Sequence, residues 1–340
     1  MNNKVLITGI TGFLASHITI QLLNKGYKVI GTLRSHDRID SIKSTIETHT
    51  KNIHNLSFAV ADLNDDTVWD GLTRDIDFIQ HVASPHPRQA PKSDDELLLP
   101  AKQGTLNILK SAAKNGVKRV VMTSSLGAVA YGKSSSELEK ILSEEDWTDE
   151  TNLVDTTAYY RSKTVAEKAA WGFVSYENID LELVTICPGA ILGPILESDF
   201  GTSANIVISL MDGSFPAIPK IEFDIVDVRS VADLQILAME SPTAKGKRYI
   251  ATAGHLTLKE ISQILKGKYP NRKIPVTELP NFVTKFLSLF QPMLKSILLE
   301  THNRKTTNGK AINELGWMPI PPQDAVVSCA ESLLSNKILK

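Results

Sequence analysis

The chain has 340 residues, 42% of them hydrophobic, and a formal net charge of -1, which suits about two domains or one large α/β domain with an added lobe. Acidic and basic residues are mixed along it, so no basic stripe points to nucleic acid and no polybasic segment to a lipid surface. No uncharged apolar run reaches the ~20 residues of a membrane span and no basic leader precedes the first strand, so the expected setting is the cytoplasm. Cys187 and Cys329, the only two cysteines, read as buried thiols of a reducing compartment.

The first pattern is a short apolar run, Val5 to Ile7, broken by Thr8-Gly9 and followed by apolar residues at helical spacing from Phe13 to Leu23. This predicts strand, tight glycine turn, helix. Gly9 and Gly12 leave the backbone open where a pyrophosphate would meet the positive end of the helix, and Ala15 lets the helix lie close to the strand. The spacing is G-x-x-G-x-x-A, with Thr11, Phe13 and Leu14 as further cofactor candidates in the turn.

Further strands are expected at Tyr27 to Leu33, Leu56 to Val60, Phe78 to Val82, Arg119 to Thr123 and Leu181 to Ile186. Helical patterns lie between them, clearest from Thr105 to Ala113. This alternation predicts an α/β fold, a Rossmann-type doubly wound parallel sheet with helices on both faces. After Cys187-Pro188-Gly189 the strands become short and proline and glycine frequent. Residues 1–187 are therefore assigned to a nucleotide-binding domain and 188–340 mainly to a smaller C-terminal substrate lobe, with 223–251 returning to the main sheet. The two share a cleft at the carboxyl ends of the strands, where ligands of open α/β sheets bind.

Several residues fall at those strand ends. Arg34 ends the second strand, where an NAD-binding protein usually carries a carboxylate, and a guanidinium there suits the 2′-phosphate of NADP(H). Arg38 is placed to clamp the same phosphate or to be an ordinary surface arginine. Asp62, followed by Leu63, is placed to accept from an adenine amino group or to cap a helix. Val82, Ala83 and Ser84 put small residues where a nicotinamide ribose would pass. His81 before them reads as a packed core histidine, and the remaining histidines lack metal-ligand spacing.

The fifth strand ends in Thr123-Ser124-Ser125. After an insertion, Tyr159-Tyr160-Arg161-Ser162-Lys163 opens a helix expected to run to about Trp171. Tyr159 and Lys163 are four apart and share a helix face, whereas Tyr160 has Thr164 at that spacing. A free phenol has a pKa of about 10, and a nearby ammonium favours the phenolate, which prepares the group for proton transfer.

These residues together resemble the extended short-chain dehydrogenase/reductases. The matching residues are Thr8-Gly9-x-x-Gly12-Phe13-x-Ala15, Asp62-Leu63, Thr123-Ser124-Ser125, Tyr159-x-x-x-Lys163 and Pro188-Gly189. Arg34, the segment His81 to Pro85, Val226-Asp227-Val228-Arg229 and Glu314-Leu315-Gly316-Trp317 resemble the dihydroflavonol reductase-like branch, with its cinnamoyl-CoA reductases and yeast-type aldehyde and ketone reductases. The resemblance implies that Tyr159 donates a proton to a substrate carbonyl, that Lys163 holds the nicotinamide ribose and lowers the phenol pKa, and that Ser125, rather than Ser124, bonds the carbonyl oxygen. It also implies that Pro188, Ala190 and Ile191 line the nicotinamide pocket, with Ser203 nearby. One position departs from the family: Ala101 stands where many members carry an asparagine in an N-x-x-G pattern.

The resulting expectation is an NADP(H)-dependent reductase of a small-molecule aldehyde or ketone, monomer or homodimer. Two other readings stand beside it, a nucleotide-sugar epimerase or dehydratase and a non-catalytic NADPH-sensing regulator. The apolar stretch Phe282 to Leu299, with Phe286, Leu289, Phe290 and Leu294 near helical spacing, is expected to wall the substrate pocket, to fill the core of the lobe or to meet a second subunit.

Overall fold

The structure is a computed structural model describing residues 3–85, 93–176, 179–197, 200–213, 216–288, 298–301 and 304–339. Its main sheet is built from β1 (Lys4–Ile7), β2 (Lys28–Leu33), β3 (Leu56–Val60), β4 (Phe78–His81), β5 (Arg119–Thr123), β6 (Glu182–Pro188) and β9 (Lys247–Ala251). All seven are parallel, in the order β3-β2-β1-β4-β5-β6-β9. The order reverses between β1 and β4, which opens a crevice above their carboxyl ends.

The sheet is covered on both faces, which is why its strands read as continuous apolar runs rather than alternating ones. Val5 and Ile7 of β1 face a core shared with Ile18 and Leu22 of α1 (Phe13–Asn24). Leu6, between them, faces the opposite core with Ile108 and Leu109. Each of these side chains is fully buried, a contribution of about 1.5–3 kcal/mol apiece. Past α1 come α2 (Ile39–Glu47), α3 (Trp69–Leu72), α4 (Asp95–Lys114), α5 (Ser135–Leu138) and α6 (Ala158–Tyr176). α4 packs along α6 on one face, while α1 packs along α8 (Val228–Glu240) on the other.

The smaller lobe has its own three-stranded sheet, β10-β8-β7, from β7 (Ala190–Leu192), β8 (Glu222–Asp227) and β10 (Gly254–Thr257). This corrects the expectation that the strand around Asp227 returns to the main sheet. β8 pairs parallel with β7 and antiparallel with β10, and the elements that return are α8 and β9. Its core gathers Val207 of α7 (Ala204–Met211), Ile261 of α9 (Leu258–Lys268) and Val326 of α12 (Pro322–Ser335). α11 (Gly309–Leu315) rejoins the main body. There Gly316 adopts a left-handed φ of 64° and turns the buried Trp317 indole onto the Ser230 carbonyl at 2.8 Å. α10 (Asn281–Ser288) leaves Phe282 and Phe286 exposed, while Leu289, Phe290 and Leu294 lie outside the described residues.

The Asp227-Val228-Arg229 motif has an architectural task as well. Asp227 is wholly buried and caps α8, accepting from the Arg229 amide at 2.8 Å and pairing with its guanidinium at 2.7 Å. No described helix is long and apolar enough to cross a membrane.

Candidate active site

The glycine turn after β1 is fixed from both neighbouring strands. The Ile10 amide donates to the Thr32 carbonyl at 2.9 Å, and the Thr8 hydroxyl accepts from the Val82 and Ala83 amides at 3.0 and 2.9 Å. Gly9 has a φ of 70°, and a Cβ there would lie 2.9 Å from the Ala83 Cβ. At Gly12, the N-cap of α1, a Cβ would lie 3.2 Å from the Gly9 carbonyl oxygen, and no side chain caps the helix. The positive end of α1 therefore points outward beside a cradle that only glycine leaves open, the arrangement a pyrophosphate needs.

Since the Thr8 hydroxyl already accepts two amides, its proton goes to His81 Nδ1, 3.1 Å away. His81 then carries its own proton on Nε2, directed at Thr105 Oγ1 at 3.4 Å, a tautomer assigned from this network. Burial, and to a lesser degree the Lys163 charge, pushes its pKa down to about 3. His81 is a neutral core residue.

A cleft of about 650 Å³ runs from this turn across the strand ends. Gly9, Thr11, Gly12, Phe13, Leu14, Arg34, Asp62, Leu63, Val82, Ala83, Ser84, Ser125, Tyr159, Lys163, Pro188, Ile191 and Ser203 all line it. Two of the candidate residues, Ala190 and Arg38, are not among those lining it. Ala190 sits in β7 opposite Ile225 and packs into the small-lobe core. Arg38 gives its guanidinium to Glu197 at 2.6 Å and to Ser41. Asp62 accepts from the Asn64 amide at 2.8 Å in a local turn, and does not cap a helix. The cleft also takes in Asn64, Trp69, Glu96, Pro100, Gly201 and Thr202. The sequence carried no local signal for these, since each arrives from an element whose docking is set by tertiary packing.

At the β5 end the two adjacent serines diverge. Ser125 begins a tight turn in which its Oγ accepts from the Gly127 amide at 3.0 Å, and it lines the cleft together with Tyr159. Ser124 instead donates to the wholly buried Glu167, which is held by Thr185 at 2.6 Å and paired with Arg248 at 2.8 Å.

Lys163, on the face of α6 that carries Tyr159, donates to the Thr123 carbonyl at 3.2 Å and lies 6.0 Å from the Tyr159 ring centre. Burial pushes its pKa down to about 8, opposed by the Glu167 carboxylate. The Tyr159 pKa is raised by burial, with Ser125 pulling the other way. This differs from the sequence expectation of a phenol lowered by the ammonium. Although 38% of the residue is exposed, desolvation of the phenolate outweighs the pull of its neighbours.

A parallel sheet with a glycine cradle at its switch point and a serine, tyrosine and lysine at one end of the same cleft defines a dinucleotide-dependent α/β protein of the short-chain type. A profile of the NAD dependent epimerase/dehydratase family matches residues 5–251. A cinnamoyl-CoA reductase of Medicago truncatula is 34% identical over 81% of this chain and 83% of its own length. An anthocyanidin reductase of Vitis vinifera is 32% identical over 82% and 84%. The crystal structure of yeast methylglyoxal/isovaleraldehyde reductase Gre2 complexed with NADPH superposes with a TM-score of 0.81 at 28% identity, covering 98% of this chain and 99% of that one. The chain belongs to that family, the extended short-chain dehydrogenase/reductases, and within it to the dihydroflavonol reductase-like branch.

Proposed function

We propose that the protein is an NADP(H)-dependent oxidoreductase that reduces the carbonyl of a small aldehyde or ketone to an alcohol. The observation that carries this reading is that Ser125, Tyr159 and, on the same helix face as Tyr159, Lys163 line one cleft with the glycine cradle and Arg34. The NADPH held by yeast Gre2, a protein of the same fold across the whole chain, supports the cofactor assignment.

The residues fit a bound dinucleotide. Gly9, Gly12 and the open end of α1 would hold the pyrophosphate, Arg34 the 2′-phosphate and Lys163 the nicotinamide ribose hydroxyls, with Asp62 and Leu63 beside the adenine. When bound, the reduced cofactor supplies the hydride. Ser125 orients the carbonyl oxygen with its hydroxyl, while its Oγ is kept in place by the Gly127 amide. Tyr159 gives its phenolic proton to that oxygen as negative charge builds there, and Lys163 stabilises the phenolate that remains. With Ala101 at the position of the family asparagine, proton return to Tyr159 uses no side chain from that residue.

Following NADPH oxidation against aldehydes, diketones, flavanonols and sugar nucleotides tests the reading. Consumption of NADPH with an apolar aldehyde or ketone, abolished in Tyr159→Phe, is the expected result. Turnover of a sugar nucleotide with the cofactor regenerated would move the assignment to an epimerase.

A further inference from the structure

Tyr160, which follows the proton donor of the proposed reaction, does not line the cleft, yet it is among the most heavily engaged side chains near it. Its hydroxyl donates to Glu300 Oε1 at 2.8 Å, and the Tyr131 hydroxyl donates to the same carboxylate at 2.9 Å. The two rings stack with centres 4.0 Å apart and planes 23° from parallel. Arg304 lies over the Tyr131 ring at 4.3 Å and pairs with Asp155. A carboxylate in such a setting is costly unless donors meet it, and two phenols do so here.

The other side of the Tyr160 ring reaches the catalytic turn. A Cβ at Gly127 would fall 2.5 Å from Tyr160 Cδ1 and 3.2 Å from Ser125 Oγ, so the glycine is what lets the ring press against the turn. The amide of that glycine fixes Ser125 Oγ at 3.0 Å. The ring also meets the Tyr159 ring edge-on at 5.9 Å. Glu300 belongs to the C-terminal turn Leu298–Thr301, and Tyr160 to the first turn of α6. The contact therefore joins segments 140 residues apart.

We infer that Tyr160 and Glu300 are a positioning pair, in which the C-terminal segment holds the Tyr160 ring against Gly127 and thereby sets the Ser125 hydroxyl for the carbonyl. The inference rests on the reductase reading for its kinetic test. Tyr160 acts through Ser125 and touches no reacting atom. Its hydroxyl, silent by sequence spacing because no lysine lies beneath it, acquires a task from tertiary structure.

In the full-length protein, Tyr160→Phe and Glu300→Gln are expected to lower kcat roughly tenfold, since small misplacements of a polarising group are amplified in rate. KM for NADPH should stay within about twofold. In a Ser125→Ala background Tyr160→Phe should cost less than about twofold, because the group it positions is gone. An unchanged kcat in Tyr160→Phe, or the same loss with and without Ser125, overturns the inference. Tyr160→Phe removes one oxygen and carries the test if Glu300→Gln does not fold. Amide exchange across 126–129, read by mass spectrometry, should rise in Tyr160→Phe, and it decides the matter even if the wild-type protein reduces no carbonyl. Unchanged exchange sinks the positioning pair, whereas absent turnover alone sinks the reductase reading.

Discussion

The Ser124 hydroxyl donates to the buried carboxylate of Glu167 at 2.5 Å. Ser125, the next residue, lines the cleft, so of two neighbours of one composition one serves the core and the other stands where the proposed reaction needs a hydroxyl. Ser124→Ala removes a donor from a wholly buried carboxylate and should cost about 1–3 kcal/mol of stability, with turnover per folded molecule nearly unchanged. Ser125→Ala should leave thermal unfolding where it was and lower kcat by about a hundredfold. Melting curves and steady-state rates on both variants check the division, and the opposite pattern would reverse the roles.

Tyr159→Phe deletes the proton donor of the proposed reaction and little volume. Turnover should fall by roughly a hundredfold or more, while cofactor affinity, titrated by nucleotide fluorescence, changes little. Retention of most activity would show that the proton comes from elsewhere.

Arg34 follows β2 directly and lines the cleft, whereas Arg38 is already paired with Glu197. Arg34→Asp sets a carboxylate against the 2′-phosphate and should weaken NADPH more than tenfold, with NADH little affected. Arg38→Ala should alter the preference between the two cofactors much less. Comparable losses in the two variants would mean that Arg38 leaves Glu197 for the phosphate.

With Lys163 on the nicotinamide ribose as proposed, cofactor binding should be sensitive to pH. The Lys163 pKa in the protein alone is lowered by burial from 10.5 to about 8. The ammonium that would meet the ribose hydroxyls is therefore present below about pH 8 and lost above it. NADPH affinity should fall as pH rises through about 8, and binding near that pH should take up protons. For folding of the protein alone the sign is opposite. Between about 8 and 10.5 the unfolded chain holds more protons at this lysine, so the Lys163 contribution to stability rises with pH. Calorimetric titration in buffers of different ionisation enthalpy measures the uptake, and Lys163→Ala should abolish it.

Much of this molecule was legible in the sequence because its main sheet is buried on both faces. Runs such as Arg119 to Thr123 have one physical reading when bounded by glycine or polar turns, and that expected strand coincides with β5. The strands of the small lobe were harder. Glu222–Asp227 is short and half polar, and its partners are set by a sheet whose other members lie far along the chain. Ala190 was expected in the cleft for the same reason, since strand pairing decides which way a residue faces. Local spacing found Tyr159 and Lys163, which lie on one helix, but it had no means of finding Glu300.

The chain passes between the two sheets repeatedly: β6 belongs to the large one, β7 and β8 to the small, β9 to the large and β10 to the small. α11 then contributes to the large core and α12 to the small. Neither lobe is a continuous stretch of polypeptide, so no single cut frees one from the other. A recombination event that exchanged the stretch after β6 would carry fragments of both cores and break each. Substrate preference in such a scaffold has to change residue by residue.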